Sequence, residues 1–372
     1  MISNIWTLCR EEPTADELPY WETINRYLGR LDPEKLQDVI HCLCRRLLRS
    51  RVFEGMCIRG KYWQVIIDGT QLCSAHGELD GKRLRRTHNK GTEKEWTENY
   101  YYVLEARLVL HPKILISIQT EFVDNEGGKE TEKQDCERKA CWRLMEKLKK
   151  AFPRLPICLC ADSLYACEGF FERCRGKSWR YKEGSVPSVG EEYRKLKRME
   201  KNRREHALET GKGWHDYVTD VDDNGYKVNL VEYGEGREQA CKKGKKKGEA
   251  RTIRKEFWFL TDLPVTQKNV EGVAGRERMR WKIENEGFNA QKKHGYCLEH
   301  PFSKNYQALK CHYYLIQIGH MIGQFMDAWE RIWKKAKQSL EQKHRRMLES
   351  MKETPLKEYK EKIKKKIQIR FI

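Results

Sequence analysis

Apolar residues recur at threes and fours between residues 16 and 54, at Leu18, Ile24, Leu28, Leu31, Leu36, Val39, Ile40, Leu43, Leu47 and Leu48, the spacing of two or three short helices. Asp32 followed by Pro33 offers one of them a cap and a first turn. The period then changes. KYWQVIIDG, residues 61–69, is a β-branched and aromatic run that predicts a buried strand stopping at Asp68-Gly69. Residues 80–98 are polar and basic with two glycines, which predicts a loop over a surface. Strands are expected at 100–110 and 114–122, joined through His111-Pro112-Lys113 as a hairpin. Residues 133–152 place Cys141, Leu144, Met145 and Leu148 on one face and Lys or Arg on the other, an amphipathic helix broken by Pro153 and Pro156. The apolar run 157–161 ends at Asp162, is too short for a helix, and reads as another buried strand.

Beyond it the pattern loosens. Residues 176–248 mix charges, glycines and short alternating runs at 217–221 and 226–233, which predicts a small β-rich insertion with basic loops. KKGKKK, residues 242–247, is either a solvated loop or a phosphate contact. FWFLTDL at 257–263 restores a buried strand pattern. From residue 276 onward the chain reads as mostly helical, with aromatic and apolar residues at helical spacing over 313–333 and a Lys/Arg-rich tail over 334–370. The expected organisation is a helical region 1–57, a core in two parts, 58–175 and 257–333, an insertion 176–256 and a basic tail 334–372.

Charge changes the picture. Lys and Arg total 74 against 55 Asp and Glu, a formal charge of +19. Such an excess repels itself in a compact chain and calls for a polyanion, of which nucleic acid is the first candidate. No run approaches the roughly 20 apolar residues of a spanning helix. The opening MISNIWTLCREE lacks the basic-then-apolar pattern of a secretory leader, so a cytoplasmic, nucleoid-associated setting is expected. The 14 cysteines include no CxxC pair, and Cys42/Cys44 and Cys158/Cys160 sit in apolar patterns, so structural thiols are expected.

Asp68 and Asp162 each close an apolar strand, so rigid elements would deliver both carboxylates to one sheet edge if the strands are neighbours. Either one alone could be an ordinary strand-end turn residue. Paired carboxylates suit hard divalent cations, which are bound through a few acidic oxygens and retained water.

The segment RERMRWKIENEGFNAQKKHGYCLEH makes the reading specific, because it sets Arg280, Trp281, Ile283, Glu284 and Phe288 together with Lys292 and Lys293 following. It resembles the signature of insertion-sequence transposases with a DDE triad, in which Tyr, Arg, Glu and Lys recur on one helix. IDGT at 67–70 and ADSLY at 161–165 resemble the two aspartate motifs of that family, in the right order, and the family also carries a β-rich insertion between its second Asp and its Glu. The resemblance covers about residues 61–314. It departs in three places. Glu277 stands where the signature has Tyr. The expected lysine falls on Gln291 counted from Glu284 and on Lys293 counted from Glu286, so arginine spacing favours Glu284 and lysine spacing Glu286. The family's further hydrophobic strand after the second aspartate has no counterpart, since SWRYKEG follows directly.

The resemblance implies an α/β fold, a ribonuclease H-like mixed sheet flanked by helices. It implies a DNA transposase that cuts transposon ends and transfers strands into target DNA, acting as a homodimer on DNA. Asp68, Asp162 and Glu284 would hold two Mg²⁺ or Mn²⁺ ions, and Arg280 with Lys292 or Lys293 would hold DNA phosphates. Trp281 reads either as a core aromatic or as a base-stacking surface. Rival readings are a nuclease on the same fold without strand transfer and an inactive, transposase-derived DNA-binding protein.

Overall fold

The computed structural model describes residues 19–75, 83–124, 133–184, 190–209, 211–223, 225–240 and 250–332, with isolated residues between 342 and 349. KKGKKK and nearly all of the basic tail lie outside the described residues.

Two helices open the described chain, α1 (Trp21–Leu28) and α2 (Pro33–Arg49). Asp32 caps α2 by accepting the Glu34 N–H at 3.0 Å, and Pro33 takes the first turn, where a missing N–H costs no helical bond. Four strands follow: β1 (Trp63–Ala75), β2 (Leu84–His88), β3 (Trp96–His111) and β4 (Ile114–Phe122). Helix α3 (Lys133–Ala151) leads to β5 (Ile157–Ala161), and α4 (Glu168–Gly176) to β6 (Arg180–Gly184). After α5 (Gly190–Glu200) come β7 (Arg203–Leu208), β8 (Gly211–Asp223), β9 (Tyr226–Ala240) and β10 (Ala250–Thr261). The chain then turns helical through α6 (Val270–Glu277), a 3₁₀ turn (Arg278–Trp281), a π-helical turn (Ile283–Phe288), α7 (Asn289–Lys293) and α8 (Tyr306–Ile332).

All ten strands form one mixed sheet in the order β2-β3-β1-β5-β6-β10-β9-β8-β7, with β4 also paired to β3. β1, β5 and β6 are mutually parallel, while β3 runs antiparallel to β1 and β10 antiparallel to β6. Every residue of β4 and of β5 is buried, as expected for strands covered on both faces. Helices α2, α3 and α8 all pack against β4. α2 is tied there by Gln37 Oε1, which accepts the Thr120 N–H at 3.0 Å, and by a 3.0 Å bond between His41 and Gln119.

Three expectations are corrected. β1 does not stop at Asp68 but runs on to Ala75, because β3 continues to pair with it after β5 has ended. The supposed loop over 80–98 contains β2 and the start of β3, a hairpin in which β2 carries only one fully buried residue, Leu84. The strand thought missing after the second aspartate is present as β6. There Lys182 is buried, and its ammonium donates to the Val273 carbonyl at 2.6 Å, so a cation stands at a core position that composition alone marks as surface. β6 also carries the sheet outward, since residues 182–184 pair with the end of β10, which pairs along its whole length with β9 on its other side. The cysteines among the described residues are free thiols, and no described helix is long and apolar enough to cross a membrane.

Candidate active site

The parallel register of β1 and β5 matches Trp63 to Ile157 and continues to Ile66 opposite Cys160. Two residues farther along each chain segment are Asp68, within β1, and Asp162, just past the end of β5, so the two aspartates come to one level where the parallel pairing of β1 and β5 ends. Asp68 Oδ1 accepts the Gly69 N–H at 2.8 Å. Asp162 Oδ1 accepts the Leu164 N–H at 3.0 Å and caps the short turn Ser163–Tyr165. Gly69 is required here, because a Cβ would run into the phenol of Tyr102.

Burial raises the Asp68 carboxyl to about 6, with the Gly69 N–H and the Arg280 guanidinium opposing the rise and the charges of Asp162 and Glu137 adding to it. The Arg280 guanidinium lies 3.9 Å from Asp68. Glu137, on α3, was not foreseen. It is buried, accepts a hydrogen bond from the Tyr165 hydroxyl at 3.0 Å, and also bonds Tyr102. The signal was present in the chain: Glu137, Cys141, Leu144 and Leu148 share one helical face, and an acid on an apolar face marks a buried carboxyl with a partner.

No protein-family model matches this chain, and a search of curated proteins also finds no match. The residues themselves therefore carry the functional argument.

Glu284 lies in the π-helical turn, exposed, on a segment that packs against β1 and β4. Among the described residues, no three His, Cys, Asp or Glu side chains stand close enough to hold one ion. The sheet thus unites Asp68 with Asp162, and the structure does not draw Glu284 into the same cluster. Glu286 is instead bonded to Lys282 at 3.0 Å. Of the proposed phosphate contacts, Arg280 faces Asp68, Lys292 is paired with Glu299 at 3.0 Å, and Lys293 is exposed. Trp281 is 41% exposed and meets Phe257 edge-on, with ring centres 4.9 Å apart.

The helical segment is anchored from below by Arg107, a fully buried cation on β3. Its guanidinium donates to Gln291 at 2.9 Å and to Gln317 at 3.1 Å and lies over the Phe288 ring. A Cβ on Gly287 would come within 2.9 Å of it, so the close approach of the π turn depends on glycine. The π turn also accounts for the ambiguous spacing of the lysine. One wide turn plus one ordinary turn spans about 8 residues, where two ordinary turns span about 7. Two turns after Glu284 therefore fall on Lys292, while Gln291 points inward to Arg107.

Proposed function

We propose that this chain is a DNA transposase of the DDE type with a ribonuclease H-like core, in which Asp68 and Asp162 are the paired metal-binding carboxylates. The observation that carries the reading is their level placement where the parallel pairing of β1 and β5 ends, with Arg280 against Asp68 and a β-rich insertion between Asp162 and the π turn of Glu284. The strand order β4-β3-β1-β5-β6, three antiparallel strands followed by two parallel ones with α3 and α4 in the connections, supports the core assignment.

The donor set fits a divalent cation. Asp68 is a desolvated carboxyl flanked by two further carboxylates, and a hard cation that keeps most of its water needs only one or two such ligands. Asp68 and Asp162 would hold the first Mg²⁺ or Mn²⁺, with Glu284 as the ligand of a second. Bound there, the metal supplies Lewis-acid stabilisation of the phosphoryl centre and a hydroxide nucleophile near neutral pH. The protein's own contributions follow from the site. The strands hold the carboxylates rigid, Glu137 adds negative charge that favours a cation, and Arg280 offers a planar donor to a phosphate entering beside Asp68. Lys292, two turns beyond Glu284, offers a point charge farther along the backbone. Acting on two DNA ends calls for a homodimer.

The test is strand cleavage with Mg²⁺ on a DNA carrying the element's ends. Asp68→Asn should abolish cleavage and leave DNA binding within about twofold, and full cleavage by that variant refutes the assignment. Glu284→Gln and Glu286→Gln, assayed alongside, should separate, with only the first losing activity.

The absence of a three-ligand cluster among the described residues favours one alternative, a transposase-derived DNA-binding protein without turnover. It requires salt-sensitive DNA binding with no cleavage by the unmodified chain in either Mg²⁺ or Mn²⁺.

A further inference from the structure

A second concave site lies at the opposite edge of the sheet. A cavity of about 660 Å³ opens where β1, β5 and β6 begin, bordered by Lys61 and Tyr62 before β1, Leu155 and Pro156 before β5, and Trp179 and Arg180 at the start of β6. These strands are parallel, and the aspartates lie farther along them, Asp68 within β1 and Asp162 just past β5. The six residues from Tyr62 to Asp68 span about 20 Å at strand rise. The cavity is therefore separate from the carboxylate site.

Its charge is one-sided. Lys61, Lys149, Arg154, Arg175, Lys177, Arg180 and Lys227 line it; Lys177 is paired with Glu146 at 2.5 Å and Lys227 with Asp222 at 3.5 Å outside the lining, and the lining itself holds a single acid, Asp262. That acid is already committed, accepting from Arg180 at 3.1 Å and from the Tyr181 N–H at 3.0 Å. Gathering so many cations around one hollow is unfavourable unless an anion offsets them. Aromatic surface is interleaved with the charge. The Arg175 guanidinium lies 4.7 Å from the Tyr226 ring centre, the Lys61 ammonium 5.2 Å from that of Tyr62, and Arg180 donates to the Tyr62 hydroxyl at 3.4 Å. Trp179 also lines the cavity, 2% exposed, and its indole N–H has no acceptor.

We propose that this cavity binds a nucleoside phosphate, with the basic residues holding the phosphate and the aromatic side chains flanking the base. The volume falls in the range of small-molecule sites, and cations interleaved with rings match a ligand that is anionic at one end and planar at the other. The ligand is either a free nucleotide or one nucleotide of a single strand. The assignment does not depend on the transposase reading, since none of its residues belongs to the carboxylate site.

The test is calorimetric titration of the full chain without divalent metal, using adenosine 5′-monophosphate, adenosine, and a short 5′-phosphorylated single strand. Adenosine 5′-monophosphate should bind and adenosine should not. The double variant R154E/K227E, changed at two exposed positions, should weaken binding at least tenfold with an unchanged unfolding midpoint, and Asp68→Asn should leave it intact. A strand that binds more than tenfold tighter than the mononucleotide, and loses that affinity in R154E/K227E, identifies nucleic acid as the source; equal affinities identify the free nucleotide. Failure of both phosphate probes to bind, binding untouched by R154E/K227E, or binding abolished by Asp68→Asn overturns the proposal.

Discussion

Asp68 keeps its proton to about pH 6, whereas an unfolded aspartate loses it near 3.8. Between those values the native state binds more protons than the unfolded chain, so linkage makes stability fall as pH rises through the window and level off above it. A shift of this size corresponds to at most about 3 kcal/mol, reduced because the side chain is 26% exposed to water. Asp68→Asn should therefore be more stable than the parent at pH 7.5, by about 1–2 kcal/mol, with the gap closing as pH falls to 4. Urea unfolding at the two pH values measures this, and a gap that does not change with pH removes carboxyl desolvation as its cause. Under the proposed metal site, excess Mg²⁺ should stabilise the parent and not the variant, since the ion would bind only the folded, ionised site. The two aspartates were legible in the sequence because each follows an uninterrupted apolar run. Glu137 was not singled out because one acid in a helix rich in Lys and Arg looks like part of its solvated face; only the position of Cys141 and Leu144 on the same stripe gives it away.

At the level of elements, the π turn decides what each residue around Glu284 does. Ile283 and Phe288 are buried, Gly287 lies against Arg107, and the added residue in the turn rotates Gln291 into the core while leaving Lys292 partly exposed. Spacing arguments drawn from a regular helix could not resolve this, because they assume a constant number of residues per turn. The two positions should respond differently to substitution. Gln291→Lys sets a second cation against a fully buried guanidinium and removes its 2.9 Å acceptor, at a cost of at least about 3 kcal/mol. Lys292→Ala loses only the pair with Glu299 and should cost under about 1 kcal/mol while weakening DNA binding. Denaturant unfolding of both variants is the check, and a well-tolerated Gln291→Lys means that the inward register is incorrect. Other elements escaped the sequence for related reasons. β2 pairs along one edge with a single buried residue, and β6 hides its period behind Arg180 and Lys182, which are satisfied by Asp262 and by a backbone carbonyl.

Across the whole molecule, the insertion and the core share one sheet, so strands read from sequence as two regions are joined by backbone hydrogen bonds at β6 and β10. Composition could predict β structure on both sides of residue 176 but not the pairing between them, which depends on contacts about 80 residues apart, such as Thr261 with Lys182. A continuous sheet would let the proposed phosphate contacts on the insertion and on the core act as one surface. Much of the +19 charge would then serve a single polyanion. Binding to duplex DNA should accordingly weaken with salt at a log–log slope near −0.9 per phosphate neutralised. A surface using six to ten phosphates would lose about 10³ to 10⁵ in affinity between 50 and 200 mM salt. Asp68→Asn should leave that slope unchanged, because in the proposed mechanism the aspartate would hold the metal ion and contributes no cation to the DNA contact. Lys292→Ala should make it shallower by about one contact. A slope corresponding to only one or two phosphates would mean that the net charge is spread over solvated faces, and the polyanion argument would fail even with the carboxylate pair intact.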